Sequence, residues 1–330
     1  MRGLKFRCST KGSMSFKLLF LPPLGQPGWP DQLRAAAPEV RVVVAEDSGA
    51  ALEEIRDADA VYGTVTRDLL SHADRLRWIQ APMAGPQAGW YSPELIDHPV
   101  QVTNMREIFN DHLGAHILAF VLAFARGLQT YVPRQLRREW NTEARRVHLP
   151  ESTAVLVGVG GIGAETARLL AAFGIRVLGV DPRRPSAPEG VAELHRPDAL
   201  DSLLPQADFV ICTAPETPQT QGLFSRERFG KMQKDAFFIN ISRGAIVSLD
   251  GLVEALRSGD LAGAALDVYE IEPLPADHPL WEMPNVLLTP HVGGEGPYLD
   301  DRRLGVLLEN CRRFGSGEAL MNVVDKRNWF

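Results

Sequence analysis

Short apolar runs alternate with amphipathic stretches along almost the whole chain. Over residues 16–104 the runs FKLLFL, RVVVA, AVYG and RLRWIQA are spaced by helical patterns at 31–37 and 50–55. That rhythm predicts a small βαβ domain with a parallel sheet. From Ala154 the alternation strengthens into AVLVGVG, RVLGVD, DFVICTA, AFFINIS, AGAALDVY and NVLLTPHV. Strands covered on both faces lose the period of two, so these six nearly continuous runs read as central strands of a doubly wound sheet. Helices over 162–173, ended by Gly174, and over 250–257, stopped at Gly259, supply crossovers. Between the two regions, residues 112–128 (HLGAHILAFVLAFARGL) are apolar on nearly every face and too long for a strand. They predict a helix buried in a core or a subunit interface. A last helical stretch, LDDRRLGVLLENCRRF, precedes a polar tail.

Composition narrows the class. The 330 residues suit about two domains, and 45% hydrophobic residues suffice for two cores. With 41 acidic against 35 basic side chains the formal charge is -6, which disfavours a broad attraction to nucleic acid or anionic lipid. Arg134, Arg137, Arg138, Arg145 and Arg146 cluster around Trp140 and read as a solvated helix face or a subunit contact. Cys8, Cys212 and Cys311 form neither an even disulfide framework nor a C-x-x-C pair, so a reducing, cytoplasmic setting is expected. The longest apolar stretch, 117–125, is far below the roughly 20 residues that span a bilayer, so a soluble chain without a membrane partner is expected. Residues 1–15 read as a leader outside the fold; the opening MRGLKFRCSTKGS is basic, and no apolar core or cleavage site of a targeting peptide follows it.

Candidate chemistry begins at Gly158-Val159-Gly160-Gly161-Ile162-Gly163, a G-x-G-x-x-G directly after a predicted strand and opening a helix. Such glycines permit a tight turn and close backbone approach, so the helix N-terminus can present N–H groups to a pyrophosphate. Asp181, 18 positions beyond Gly163 at the end of the next predicted strand, is the acid expected to accept from the adenosine ribose hydroxyls. An anion there repels a 2′-phosphate and favours NAD(H); Arg183 and Arg184 keep NADP(H) open. Three more segments put polar groups at or just past strand ends: INISRGAIV with Arg243, LDVYEIEPLP with Asp267 and Glu272, and LLTPHVGG with His291. His112 and His116 stand four apart on one helix face, as metal ligands do. With neither H-E-x-x-H nor a third ligand in view, they read as packing or capping residues, and no metal is expected.

These motifs, in this order and spacing, resemble the D-isomer-specific 2-hydroxyacid dehydrogenases, the family of phosphoglycerate, glyoxylate/hydroxypyruvate and D-lactate dehydrogenases. The resemblance runs from Phe16 to Val324, including GEALMNVVD near the end. It implies that Arg243 holds the substrate carboxylate, that His291 is the acid/base and that Glu272 pairs with it. It also implies that Asp267 bonds the nicotinamide carboxamide, that Ile241 and Ser242 lie along the cofactor, and that Thr213, Ala214 and Pro215 flank its adenine side. Met83, Ala84 and Gly85, in APMAG, correspond to the substrate loop whose backbone N–H groups cradle the carboxylate. The residue types suit those tasks. Reduction of a 2-oxoacid needs a fixed cation for the carboxylate and an acid whose reference pKa, about 6.5 for histidine, lies near operating pH.

The loop departs from the family pattern. Met83 stands where glycine is usual, Gln87 stands near the usual aspartate, and Pro82 and Pro86 flank the stretch. The bulk of Met83 suggests a small substrate such as glyoxylate or hydroxypyruvate, although Trp90, Tyr298 or a partner subunit shapes such a pocket equally well. Glutamate at 272, where the formate-oxidising branch has glutamine, argues against that branch. The expected architecture is two Rossmann-like, doubly wound α/β domains with a cleft between them: a discontinuous substrate domain, 16–105 with 298–330, and an NAD domain, 106–297. A homodimer through the helix at 112–128 is expected. The alternative to a 2-oxoacid reductase is an NADH-binding, corepressor-like interaction protein with little turnover.

Overall fold

The computed structural model describes residues 14–22, 26–85 and 89–329. Cys8, Pro86, Gln87 and most of the basic leader lie outside them. Met14 N–H already donates to Gly315 O (2.8 Å), so the chain is tied to the fold before the first strand begins. The chain divides into two compact units, Met1–Arg106 with Pro297–Phe330, and Glu107–Gly296.

The first unit runs β1 (Phe16–Phe20), α1 (Trp29–Ala36), β2 (Val40–Val44), α2 (Ser48–Glu54), β3 (Ala60–Tyr62), α3 (Arg67–Ser71), β4 (Trp78–Gln80), α4 (Pro93–Asp97) and β5 (Gln101–Thr103). Its five strands are parallel in the order β2-β1-β3-β4-β5, one of the two common doubly wound arrangements. Side chains alternate between two covered faces. Leu19, Val61, Ile79 and Val102 pack with Ala51, Ile55, Leu70 and Leu95. On the other face Tyr62 meets Trp29, and Trp78 meets Phe314. Helix starts follow local rules: the side chains of Asp47, Thr66 and Ser92 accept from the backbone N–H three residues on, at the heads of α2, α3 and α4. The sequence pattern missed β5 and the short helices α3 and α4, because three to five residues are too few to display a period.

The second unit continues with α5 (Asn110–Arg126), α6 (Leu128–Leu136), β6 (Thr153–Val157), α7 (Gly161–Ala172), β7 (Arg176–Val180), β8 (Glu193–His195) and α8 (Leu200–Leu203). It goes on through β9 (Phe209–Cys212), α9 (Arg226–Phe229), β10 (Phe237–Asn240), α10 (Leu249–Ser258), β11 (Gly263–Leu266) and β12 (Val286–Leu288). The remaining helix, α11 (Leu299–Ser316), belongs to the first unit. Seven parallel strands lie in the order β12-β11-β10-β9-β6-β7-β8, with the order reversing between β6 and β9. The polar edge strand β8 was not foreseen; paired on one side only, it needs no apolar run. Helices α5 and α7 cover the face lined by Leu156, Val177, Ile211 and Phe237, while Leu200, Phe229 and Leu252 cover the other. Gly127 and Gly259, at φ +70° and +73°, end α5 and α10 in the left-handed conformation that glycine adopts without a Cβ penalty. Among the described residues no single helix is long and apolar enough to cross a membrane.

Register is the feature that matters for chemistry. Val157 pairs with both Val180 and Cys212, Cys212 with Asn240, Asn240 with Leu266, and Leu266 with Leu288. Six strands therefore end in one row.

Candidate active site

The residue after each of those ends is Gly158, Asp181, Thr213, Ile241, Asp267 or Thr289, so parallel pairing alone gathers them along the carboxyl edge of the sheet. Open α/β sheets bind ligands at that edge, at the point where strand order reverses.

The glycine turn lies at this reversal. Gly158 has φ +94°, and a Cβ on it would stand 2.5 Å from Ala214 N. A Cβ on Gly163 would stand 2.2 Å from Gly158 O, the same oxygen that accepts from Thr213 Oγ1 at 2.6 Å. These two glycines let β6, α7 and the loop after β9 close on one another. Gly160 is different. Open space lies where its Cβ would point, and it heads α7 with no side chain capping the first-turn N–H groups. Uncapped donors at the positive end of a 12-residue helix, beside open space, fit a diphosphate. Ile162 packs against the core, and Gly161 is covered by the side chains of Glu107 and Asn110.

Asp181 is buried. Its Oδ2 accepts from Val159 N–H (2.9 Å), and its Oδ1 accepts from the N–H groups of Arg183 (2.8 Å) and Arg184 (2.9 Å). Burial pushes its carboxyl upward, but those backbone donors and the Arg183 charge outweigh it and hold the group below the usual carboxylate value. The Arg184 guanidinium folds back to donate from Nε to Val159 O.

Beyond β10 the fully buried Asn240 shapes the turn that carries Arg243. Its Oδ1 accepts from Ser242 N–H and Oγ (3.1 and 2.6 Å), and its Nδ2 donates to Arg243 O (3.2 Å). Arg243 Nη1 donates to Ser242 O at 2.6 Å. Burial lowers the guanidinium pKa, opposed first by the charge of Glu216 and then by that of Glu272. Glu216, only 7% exposed, is held by Gln221 Nε2 at 3.2 Å. Gly244 lets this turn pass under the next one, since a Cβ there would stand 1.9 Å from the Tyr269 carbonyl.

That next turn carries Glu272. Its Oε1 accepts from Tyr269 N–H (3.0 Å), and its Oε2 lies 2.7 Å from His291 Nδ1. His291 sits at φ +56°, an uncommon conformation for a residue with a Cβ, and persists there because its loop is held from several sides. Asp267, 2% exposed, accepts from Thr289 Oγ1 (2.6 Å) and Val292 N–H (2.9 Å) at Oδ1, and from Gly293 N–H (2.9 Å) at Oδ2. Tyr269 Oη reaches Thr289 O at 2.9 Å. Thus the second unit brings Glu272 and His291 into contact and places Arg243 within electrostatic reach of Glu272. Asn240, Tyr269, Thr289 and Glu216 were not singled out from the sequence, since a buried hydrogen-bonding residue has no periodicity to betray it.

In the first unit, Met83 O accepts from Met105 N–H (3.0 Å) and Ala84 O from Asn104 Nδ2 (2.7 Å). These two carbonyls of the APMAG loop are therefore tied down. Of the arginine cluster, Arg134, Arg137, Arg145 and Arg146 bond to nearby carbonyl, carboxylate or hydroxyl oxygens.

A family model described as D-isomer specific 2-hydroxyacid dehydrogenase, NAD binding domain, matches residues 118–293. Over 305 residues the chain is 33% identical to glyoxylate/hydroxypyruvate reductase B of Pectobacterium carotovorum, spanning 89% of this chain and 95% of that one. Among solved structures, the D-isomer specific 2-hydroxyacid dehydrogenase of Xanthobacter autotrophicus in complex with NADPH and MES is similar at TM-score 0.85 and 31% identity, covering 96% of this chain and 100% of that one. The NADPH-dependent glyoxylate/hydroxypyruvate reductase of Sinorhizobium meliloti in complex with NADP and sulfate gives 0.82 and 28%, with coverage of 96% and 100%.

Proposed function

The chain belongs to the D-isomer-specific 2-hydroxyacid dehydrogenase family, and we propose that this NAD(P)-dependent oxidoreductase reduces a short 2-oxoacid to its D-2-hydroxyacid with His291 as the acid/base. The observation that carries the proposal is the 2.7 Å contact between His291 Nδ1 and Glu272. A carboxylate only accepts, so Nδ1 bears a proton and Nε2 is the nitrogen left to exchange one. As imidazolium, His291 gives the Nε2 proton to the carbonyl oxygen as C2 is reduced; as imidazole it takes that proton back in oxidation. Arg243 offers its planar, permanently charged fork to the carboxylate, with Glu216 and Glu272 compensating the buried charge.

Gly158, Gly160, Gly161, Ile162 and Gly163 would hold the diphosphate, with Thr213, Ala214, Pro215, Ile241 and Ser242 along the rest of the cofactor. When bound, the nicotinamide supplies the hydride for C2 and receives it in the reverse direction. Asp267 uses three of its roughly four acceptor positions on the loop after β12, which leaves one for the carboxamide. We favour NAD(H), because Asp181 sets an anion where a 2′-phosphate would lie and Arg184 Nε is committed to Val159 O. The two NADPH- or NADP-bound relatives keep NADP(H) as the second choice, through Arg183 and Arg184. The bulk of Met83 and the names of the relatives favour glyoxylate or hydroxypyruvate as substrate. The same names favour the enzyme over a corepressor-like binder.

A second copy of the chain is the proposed partner, through α6 in place of the helix at 112–128 expected from the sequence, because that helix packs Ile117, Phe120, Val121, Phe124 and Ala125 into its own core. The apolar exposed residues Leu128, Val132, Leu136 and Trp140 recur every four positions, and α6 buries none of its residues in its own chain. A nine-residue helix with so little support needs a cover.

Steady-state rates over a panel of 2-oxoacids with both cofactors test this reading. The expected result is turnover of a two- or three-carbon oxoacid, with kcat/KM higher for NADH than for NADPH. NADPH preference would overturn the cofactor choice, and tight NADH binding without turnover would overturn the enzyme.

A further inference from the structure

We propose that His116 is a positioning residue for His291, acting from α5 through Thr289 and Asp267. The inference rests on the reading of His291 as the acid/base. His116 Nε2 lies 3.0 Å from Thr289 Oγ1 and 3.7 Å from Asp267 Oδ1. Thr289 Oγ1 lies 2.6 Å from Asp267 Oδ1, and Asp267 also takes the N–H groups of Val292 and Gly293. The residues two before and one and two after His291 are therefore held by one carboxylate.

Proton counting gives the direction of the chain. Asp267 accepts from two backbone N–H groups and a hydroxyl, so it acts as an acceptor at both oxygens. The single hydroxyl proton of Thr289 is committed to Asp267, so the contact with His116 must run from Nε2–H to Oγ1. This fixes the imidazole as its Nε2–H tautomer and orients the threonine hydroxyl for the carboxylate. Burial lowers the pKa of His116 while the Asp267 charge opposes it.

Packing agrees with the hydrogen bonds. A Cβ on Gly293 would stand 3.1 Å from His116 Cδ2 and 2.8 Å from Asp267 Oδ2, so the loop lies flush on the ring. Phe120 meets the same ring edge-on at 4.6 Å. One turn earlier, a Cβ on Gly296 would stand 2.4 Å from His112 Cε1. The two histidines four apart, which the sequence pattern marks as packing or capping residues, thus brace residues 289–296 from beneath at two points. Glu272 fixes the His291 ring; Asp267, Thr289 and His116 fix the left-handed backbone beneath it.

The experiment compares His116→Ala, His116→Gln, Thr289→Val and the double variant His116→Ala/Thr289→Val. Glutamine keeps an N–H donor within reach of Oγ1. The expected result is a kcat lowered roughly 10- to 100-fold in His116→Ala, with KM for the oxoacid and Kd for NADH within about 2-fold, and recovery of most of the rate in His116→Gln. Because both groups act in one chain, the double variant should be hardly slower than Thr289→Val alone. Additive losses, or equal losses in the alanine and glutamine variants, would overturn the proposal. The His291 imidazole resonance of the cofactor-free protein gives a readout independent of turnover: it should shift or broaden in His116→Ala and return in His116→Gln. If wild type reduces no oxoacid the acid/base reading fails while the resonance still decides the support; an unmoved resonance in His116→Ala removes the support whatever the activity.

Discussion

His291 has a left-handed backbone, a carboxylate on Nδ1 and a loop bound to Asp267, three constraints that converge on one imidazole. Removing the ring leaves the oxoacid bound but without a proton donor, so His291→Ala should lower kcat by about two to four orders of magnitude. On the proposed role of Arg243, in which the guanidinium binds the ground-state carboxylate as well as the transition state, Arg243→Ala should lower kcat/KM and also raise KM for the oxoacid. Initial rates against substrate concentration check both, and wild-type parameters in either variant would remove that residue from the chemistry. At this scale the sequence displayed the groups proposed for the chemistry and left out their supports. Arg243, Glu272 and His291 sit in legible motifs, whereas Asn240, Thr289 and His116 gain their meaning from partners 3, 22 and 173 positions away along the chain.

Between residue and domain stands the strand–turn–helix of β6 and α7, where two glycines do different work. Gly163 faces the Gly158 carbonyl, so Gly163→Ala forces backbone apart, at a cost of about 1–3 kcal/mol by the general penalty for overpacking. A melting temperature lower by roughly 2–10 °C is expected for a unit of this size. Gly160 has φ −73° and open space before it, so Gly160→Ala should fold with a melting temperature near wild type yet bind NADH about 10-fold or more weakly, its methyl lying where the diphosphate approaches. Calorimetry and NADH fluorescence titration separate the two effects. Equal NADH affinity in Gly160→Ala and wild type would place the cofactor elsewhere. The long apolar strands and α5, α7, α10 and α11 were visible in the hydrophobic pattern. The three-residue strands β5 and β8 were not: three residues are too few to show a period, and β8, paired on one side only, leaves its side chains partly exposed.

For the molecule as a whole, the exposed stripe on and after α6 is the feature one copy leaves unfinished. Leu136 is 81% and Trp140 98% exposed, a large apolar cost in water for a chain with a net charge of only -6. Sedimentation equilibrium should give twice the 36.3 kDa chain mass for wild type, and Leu136→Glu should shift the protein toward monomer. A monomeric wild type would refute the dimer. By itself the sequence determined the class of each domain, the glycine turn after β6 and the ionisable residues proposed for the chemistry, because periodicity, glycine spacing and ionisable side chains are local properties that survive as text. Only the tertiary structure decided that six strands stop level, that Asp267 grips the loop of His291, and that a histidine pair spaced like metal ligands is a brace. Those facts depend on strand register and on which groups share a buried volume, and such relations arise only when distant segments pack together.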